Sequence, residues 1–389
     1  ILFFSTSIGI GLSIAATSLV APALGAGLRA RARRLSAHAH VLTFLVSAVL
    51  SVLLWFAIEA LLTMLGATGP THRLATGYLM ILLPTLPLLA LGMTSAAVLR
   101  SIGDARRAMH VTLYGAVVNT VLDAILILYL GWGITGAAIA SALARVVVML
   151  IGLYGVIGVH NLMGRPKMAT LASDAPAFAA IAIPAVLTNV ATPAGNAYVT
   201  AALAAFGDGA VAGWAIIGRI IPVAFGAIYA LSGSVGPILG QNFGARQSGR
   251  MREVLTVSLV VMTAFTAVAW GVMAMFADSL ANAFSADGDA RTLILYFCRW
   301  LSPLFVFLGA LFIANAVFNT LGRAHFSSVL NWGRATVGTV PFVMAGASLA
   351  GAEGVLAGNM IGGVVFGLVA VALGYQLIGR IDKDLETWG

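Results

Sequence analysis

Only one cysteine, Cys298, occurs in 389 residues. That excludes an intrachain disulfide framework and any cysteine-rich metal site, and leaves Cys298 as a small residue packed in a helix. Charge is also scarce. Nine per cent of residues are charged, against roughly a quarter in soluble domains. Acids are the rarer sign, 13 against 21 Lys and Arg, for a net charge of +8. There is no HExxH and no Cys/His cluster with ligand spacing. The glycine-rich run Gly240 to Gly244 is not a phosphate loop, because no Gly-Lys-Ser/Thr follows it and no strand pattern precedes it. A membrane enzyme acting on prenyl phosphates would carry clustered acids for Mg²⁺, whereas Asp123 stands alone in its segment. The sequence therefore carries no motif of a soluble enzyme, a cofactor or a metal site, and a membrane-embedded prenyl-phosphate enzyme stays as the lesser alternative.

Apolar side chains are abundant instead. Sixty per cent of residues are hydrophobic and the mean hydropathy is +1.02, which excludes an ordinary soluble fold. Bounding the apolar runs by charges, Gly and Pro gives about eleven spans near the length a bilayer requires. They cover 1–26, 40–65, 75–99, 109–130, 134–159, 176–206, 209–240, 254–277, 292–319, 325–349 and 353–378. Each is expected to be helical, because backbone polar groups in lipid must be satisfied within the segment. The expected fold class is an all-α, polytopic membrane protein.

The chain also contains a weak copy of itself, displaced by about 219 residues. Gly25-Ala26 returns as Gly244-Ala245, and Pro84 as Pro303. The run from Ala97 to Gly103 (AVLRSIG) returns from Ala316 to Gly322 (AVFNTLG) and, with a shift of one residue, Gly133-Ile134-Thr135-Gly136 returns as Gly351-Ala352-Glu353-Gly354. The expected organisation is an N-lobe over 1–160, a linker over 161–175 and a C-lobe over 176–389. By this register Ile1 matches Ile220, already inside a span, so the first helix of the N-lobe is expected to lie ahead of Ile1. With it, the plan would be about twelve helices, six in each lobe, related by a pseudo-twofold axis along the membrane normal as in parallel-repeat transporters.

Loop charges support the helix count and set the orientation. Arg29, Arg31, Arg33 and Arg34 share one loop, Arg100, Arg106 and Arg107 another, and Arg165 with Lys167 a third. Arg246, Arg250 and Arg252 follow, then Arg323, then Arg380 and Lys383. The intervening loops are poor in cations or acidic. The basic ends and the C-terminus are thus expected on the cytoplasmic side of the cell (inner) membrane, and the pI near 10.1 reflects topology, not nucleic-acid binding.

Residues that break the apolar rule are the candidates for function, since a charge at the bilayer centre costs roughly 2.5–3.5 kcal/mol on insertion scales. Asp123 is the clearest. Asn119 lies one turn before it on the same helical face, and Thr112 continues the stripe. Desolvation disfavours the charged form of a carboxylate, so an aspartate beside an amide can take a proton, or hold Na⁺ through oxygen ligands. The alternative is an interhelical hydrogen bond that only joins helices. Arg145, Arg219 and Arg334 fall near mid-span and are expected to meet helix carbonyls, water or an anionic substrate. Asn189, Asn196, Asn315 and Asn319 are candidates for the C-lobe face of a substrate cleft. Glu59 and Arg299 are expected at the interface, and His38 and His40, beside the arginine loop, in solvent.

The stretch Arg100 to Asp104, then Asn119 to Asp123 (NTVLD), then Gly131 to Ala140 (GWGITGAAIA) resembles the fifth and sixth helices of multidrug and toxic compound extrusion (MATE) transporters. Gly240-Gln241-Asn242-Phe243-Gly244-Ala245, preceded by Arg219-Ile220, resembles the end of that family's eighth helix. The Asn-x-x-x-Asp spacing is similar to the DinF-like prokaryotic branch. The resemblance implies an N-lobe cation site in which Asn119 and Asp123 are joined by Tyr78 and, where the branch has a threonine, by Ser141. The family's first helix adds an aspartate that lies outside this chain. The NorM-like branch uses C-lobe acids, and the spans 176–206 and 292–319 have none. The resemblance implies an antiporter driven by H⁺ or Na⁺ that exports organic, cationic or amphipathic compounds by alternating access. Its expected partners are the substrate, the coupling ion and membrane lipids, and it is expected to be a monomer. A lipid-linked substrate flippase of the same broad fold is the alternative, with Arg145, Arg219 and Arg334 as cations for a pyrophosphate.

Overall fold

The computed structural model describes residues 2–64 and 66–386. Ile1 and the side chain of Lys383, both used in the sequence reading, lie outside the described residues. The described chain is helical, in the order α1 (Leu2–Gly25), α2 (Arg29–Met64), α3 (Gly69–Leu82), α4 (Leu86–Ile102), α5 (Ala105–Asp123), α6 (Gly133–Leu153), α7 (Met168–Ala204) and α8 (Asp208–Ala224). Then follow α9 (Gly226–Gly244), α10 (Ser248–Met275), α11 (Ala277–Ala283), α12 (Gly288–Tyr296), α13 (Phe305–Thr320), α14 (Ala324–Ala335) and α15 (Val340–Glu386). Among the described residues, nine helical stretches are long and apolar enough to cross a membrane, and a tenth is the α8–α9 pair, bent by 52°. The stretch Ala324–Asp382 holds two of the expected spans, divided where Ala350 and Gly351 leave helical geometry. Large apolar side chains remain open on the outer faces, Phe56 at 79% and Leu128 at 82% exposure. Lipid is the environment that makes such faces stable.

The internal repeat is visible in where helices begin. α2 and α10 start at Arg29 and Ser248, α3 and α12 at Gly69 and Gly288, α4 and α13 at Leu86 and Phe305, α5 and α14 at Ala105 and Ala324. The AVLRSIG and AVFNTLG runs prove to be one helix stop used twice. Gly103 (φ 92°) and Gly322 (φ 71°) take the left-handed conformation. In each, the next two amides return to the last turn: Gly103 N to Arg100 O and Asp104 N to Leu99 O, then Gly322 N to Asn319 O and Arg323 N to Phe318 O. This is the glycine-ended cap that satisfies otherwise orphaned carbonyls.

The matched prolines act on the same backbone accounting. A 3₁₀ turn covers Leu83–Thr85 around Pro84, and another covers Ser302–Leu304 around Pro303. Pro87 has no N–H for the Leu83 carbonyl, which accepts the Ser51 hydroxyl at 2.6 Å. The tightened turn also releases the Leu82 carbonyl, which accepts Arg145 Nη1 at 2.9 Å. Pro303 likewise cannot serve the Arg299 carbonyl, and Trp270 Nε1 donates to it at 2.9 Å. Arg145 thus meets a carbonyl released at the end of a helix, one of the partners expected for it.

Two compact units divide between Val186 and Leu187, inside α7. The expected linker over 161–175 is irregular only over 161–167, and α7 begins at Met168. In the first unit, α6 lies against both α4 and α5. Val148 fills the space left by Gly92 on one side and Gly115 on the other. In the second unit the Phe225 and Phe305 rings stack with centroids 4.0 Å apart, among buried Ile217, Ile228 and Phe297. Cys298 is buried in the same core.

The two parts of α15 approach so closely that a Cβ on Gly354 would overlap the carbonyl of Gly346. Such small-residue contacts let helix backbones touch where lipid offers no hydrophobic drive between them. Gly363, on the same helix, has open space where a Cβ would stand. Gly354→Ala is expected to lower the melting temperature of the purified protein markedly. Gly363→Ala is expected to leave it unchanged or raise it, since alanine gains up to about 1 kcal/mol over glycine in a helix. Equal melting of the two variants, read by thermal denaturation in detergent, would show that the contact is slack.

Candidate functional site

Helix α5 carries the first candidate. Its buried residues Ala108, Val111 and Gly115 recur at helical spacing, and Asn119 and Asp123 extend the same stripe. Asn119 Nδ2 donates to Asp123 Oδ2 at 2.5 Å. The other carboxylate oxygen, Oδ1, is buried and has no hydrogen-bond partner. Asp123 is also the last α-helical residue of its segment, and the backbone widens to a π-helical turn over Ala124–Tyr129. Such turns interrupt regular hydrogen bonding and recur at functional sites. Thr112, the far end of the expected polar stripe, is exposed.

Helix α6 faces this pair. Gly115 meets Val148 and Ala144 of α6, and Gly136 of α6 meets the Leu126 carbonyl in the π turn. Those two contacts bracket Asn119 and Asp123 on one helix and Ser141 on the other. Ser141 is half-buried. Tyr78, half-buried on α3, is an electrostatic neighbour of Arg145, which also donates to Thr85 Oγ1 at 2.9 Å. Among the described residues, neither Tyr78 nor Ser141 hydrogen-bonds to Asn119 or Asp123. The carboxylate and its amide are therefore joined directly.

The second unit holds a buried polar cluster of a different character. Asn315 (8% exposed) and Asn319 (4%) lie on α13, and Asn331 (1%) and Ser327 on α14. Asn331 Nδ2 donates to Asn315 Oδ1 at 3.1 Å, and Ser327 Oγ to Asn319 Oδ1 at 3.2 Å. Asn331 Oδ1 is buried without a partner. One turn on, Arg334 is 7% exposed and Nη2 donates to Thr192 Oγ1 at 3.0 Å. Its Nε is buried and unpartnered, and no acid pairs with it among the described residues. Asn189 is half-buried, whereas Asn196 and Arg219 are exposed. The sequence reading missed Asn331, Ser327 and Thr192. The i, i+4, i+7 spacing of Ser327, Asn331 and Arg334 was the available signal. No Asp or Glu is fully buried among the described residues, so the second unit's interior is amide, hydroxyl and guanidinium.

One expectation fails. His38 (1% exposed) and His40 (4%) are buried, not solvated. The α2 helix continues through the arginine loop, so both rings turn onto neighbouring helices. His38 Nδ1 lies 2.7 Å from Asp174 Oδ2, which also meets Arg34 Nε at 3.2 Å. His40 Nδ1 lies 2.8 Å from the Ser36 carbonyl and Nε2 3.0 Å from Ser95 Oγ. Glu59 is exposed, and Arg299 pairs with Asp278 at 2.6 Å. At the basic end of the first unit, Asp104 caps α5 through Arg107 N at 3.0 Å. It also meets Arg107 Nη1 at 2.6 Å and His160 Nε2 at 2.7 Å. Burial pushes this carboxyl up, but the hydrogen bonds from Arg107 and His160 outweigh it and hold it well below the usual carboxylate range.

Comparison with known proteins places these features in a family. The MatE family model matches residues 1–125 and 184–345. A protein of Shewanella oneidensis described as an FAD transporter is 30% identical over 388 residues, covering 98% of this chain and 85% of its own length. The multidrug export protein MepA of Staphylococcus haemolyticus is 26% identical over 332 residues, covering 84% of this chain and 72% of its own. Among solved structures, a mutant of the Vibrio cholerae MATE transporter VcmN superposes with a TM-score of 0.90 at 25% identity, over 96% of this chain and 85% of that one. An outward-facing multidrug resistance MATE family transporter reaches 0.92 at 23% identity, over 98% and 86%, which speaks for the fold alone. Helical spans, the repeated helix stop and the family match converge: the chain belongs to the MATE family of multi-pass membrane transporters, and is a transporter, not an enzyme.

Proposed function

We propose that this transporter is a cation-coupled antiporter that exports organic compounds by alternating access, with Asp123 as the coupling group and Asn119 as its fixed partner. The single observation that carries this reading is the Asp123 carboxylate, with one oxygen held by Asn119 and the other buried and unpartnered. The amide donates to Oδ2 whether the acid is charged or neutral. Oδ1 is the atom left to take a proton, or to ligate Na⁺. Loading it changes the local charge by one in a region of low dielectric, where charge is worth far more than in water. That is enough to bias two packings of a helix pair, provided ion and substrate prefer different ones.

One ion per cycle is a sufficient driving force for such export. A tenfold ion gradient supplies about 1.4 kcal/mol and 100 mV of potential about 2.3 kcal/mol per charge. Together they sustain roughly a five-hundredfold gradient of an uncharged substrate. Asp123→Asn, nearly isosteric, is expected to abolish transport driven by an imposed pH or Na⁺ gradient in proteoliposomes while leaving the melting temperature intact. Asn119→Ala should weaken it less. Uphill transport by Asp123→Asn at the wild-type rate would reduce the pair to an interhelical contact.

Arg334 favours a second reading of the substrate. A buried guanidinium with no acid partner repels organic cations and attracts an anionic group. The relative described as an FAD transporter carries, by that description, an anionic dinucleotide. On this reading FAD is exported in preference to ethidium, and Arg334→Gln weakens FAD transport roughly tenfold to a hundredfold, the value of a lost charge-assisted hydrogen bond. Ethidium export that is unaffected by excess FAD would return the substrate to the cationic class.

A further inference from the structure

The basic end of the first unit contains a pocket of about 320 Å³ whose walls carry no acid. It is lined by Arg33, Arg34, Arg165 and Lys167, together with Ala30, Gly164 and Thr170. Ala30 belongs to the first turn of α2 and Thr170 to the first turn of α7, and neither helix has an acid in its first turn. The unsatisfied amides of a helix start attract negative charge, and here two starts share one pocket with four cations. The walls are built, not loose. Gly164 N donates to the Arg33 carbonyl at 3.1 Å, and Arg33 Nη2 to Asn161 Oδ1 at 3.0 Å. Arg33 Nε is buried and has no partner. Arg34 commits its Nε to Asp174. Arg165 and Lys167 are exposed and pair with no acid among the described residues.

We propose that this pocket binds the phosphate of an anionic membrane lipid. Four cations and two helix starts in one concavity match a phosphate, whose oxygens accept from guanidinium forks and backbone amides together. The source follows from position. α2 and α7 are both membrane-length apolar helices, and the pocket lies at their first turns, where headgroups sit. Leu28 and Met168, at the two helix starts, are 49% and 79% exposed and offer apolar surface to acyl chains. The repeat counterparts of Arg31 and Arg33 are Arg250 and Arg252, at the start of α10, which has no part in the pocket. Bound phosphate would fasten the 161–167 segment to α2 and stabilise the entry to α7.

The test uses the full chain in neutral detergent, with thermal melting and native mass spectrometry as readouts. Phosphatidylglycerol is expected to raise the melting temperature by about 2–4 °C over an equal amount of phosphatidylcholine, and to be retained as one tightly held lipid. Arg165→Gln with Lys167→Gln should remove both effects, whereas Arg250→Gln with Arg252→Gln should keep them. The proposal is overturned if the two lipids stabilise equally, or if the α10 variant loses the effect as fully as the pocket variant. If glycerol 3-phosphate or inorganic phosphate alone reproduces the whole shift, the ligand is a soluble phosphate and the lipid assignment fails.

Discussion

A backbone carbonyl or amide left unpaired in lipid has no water to turn to, and the architecture of this transporter depends on that constraint. Continuous helices meet it by themselves. Proline and tight turns break it, and at the three proline sites described above a side chain donates to the affected carbonyl. Ser51 takes the carbonyl released by Pro87, and Arg145 takes the one released by the 3₁₀ turn at Pro84. Trp270 takes the carbonyl released by Pro303. The polar residues scattered through an apolar sequence thus differ in kind, beyond those that pair with one another. Some repair the backbone. Others, such as Asp123 Oδ1 and Arg334 Nε, are buried with nothing to repair and no partner. The second kind marks where chemistry can enter.

Much of the fold was legible because it is periodic. The spans follow from length and hydropathy. The repeat follows from glycine and proline, whose backbone demands leave little freedom: Gly103 and Gly322 stop helices in the left-handed conformation, and the register they define holds for α2 through α5 against α10, α12, α13 and α14. The Asn119–Asp123 contact was legible for the same reason, since one helical turn brings both residues onto one face.

The remainder depended on contacts between residues far apart in sequence. Hydropathy assigned His38 and His40 to solvent because they follow four arginines. Burial came from Asp174, 136 residues away, and from Ser95, 55 residues away. The Asn331–Asn315 bond joins two helices through a turn, and neither sequence position alone reveals which amides meet. Nor does composition mark the widening of α5 into a π turn at Asp123. Tyr78 is an electrostatic neighbour of Arg145, and the Asp123 carboxylate is held by Asn119 of its own helix.

If Asp123 is the coupling group proposed above, one ion and the substrate compete through it. Competition makes substrate affinity depend on ion concentration, by the reciprocity that links any two coupled ligands. The direct measurement is the dissociation constant of the transported compound, FAD or ethidium, for the purified protein across a series of pH values and Na⁺ concentrations. Coupling through Asp123 makes it rise in proportion to one of the two ions in the wild type and stay flat in Asp123→Asn. A dissociation constant independent of both ions in the wild type, or equally dependent on them in Asp123→Asn, would contradict it.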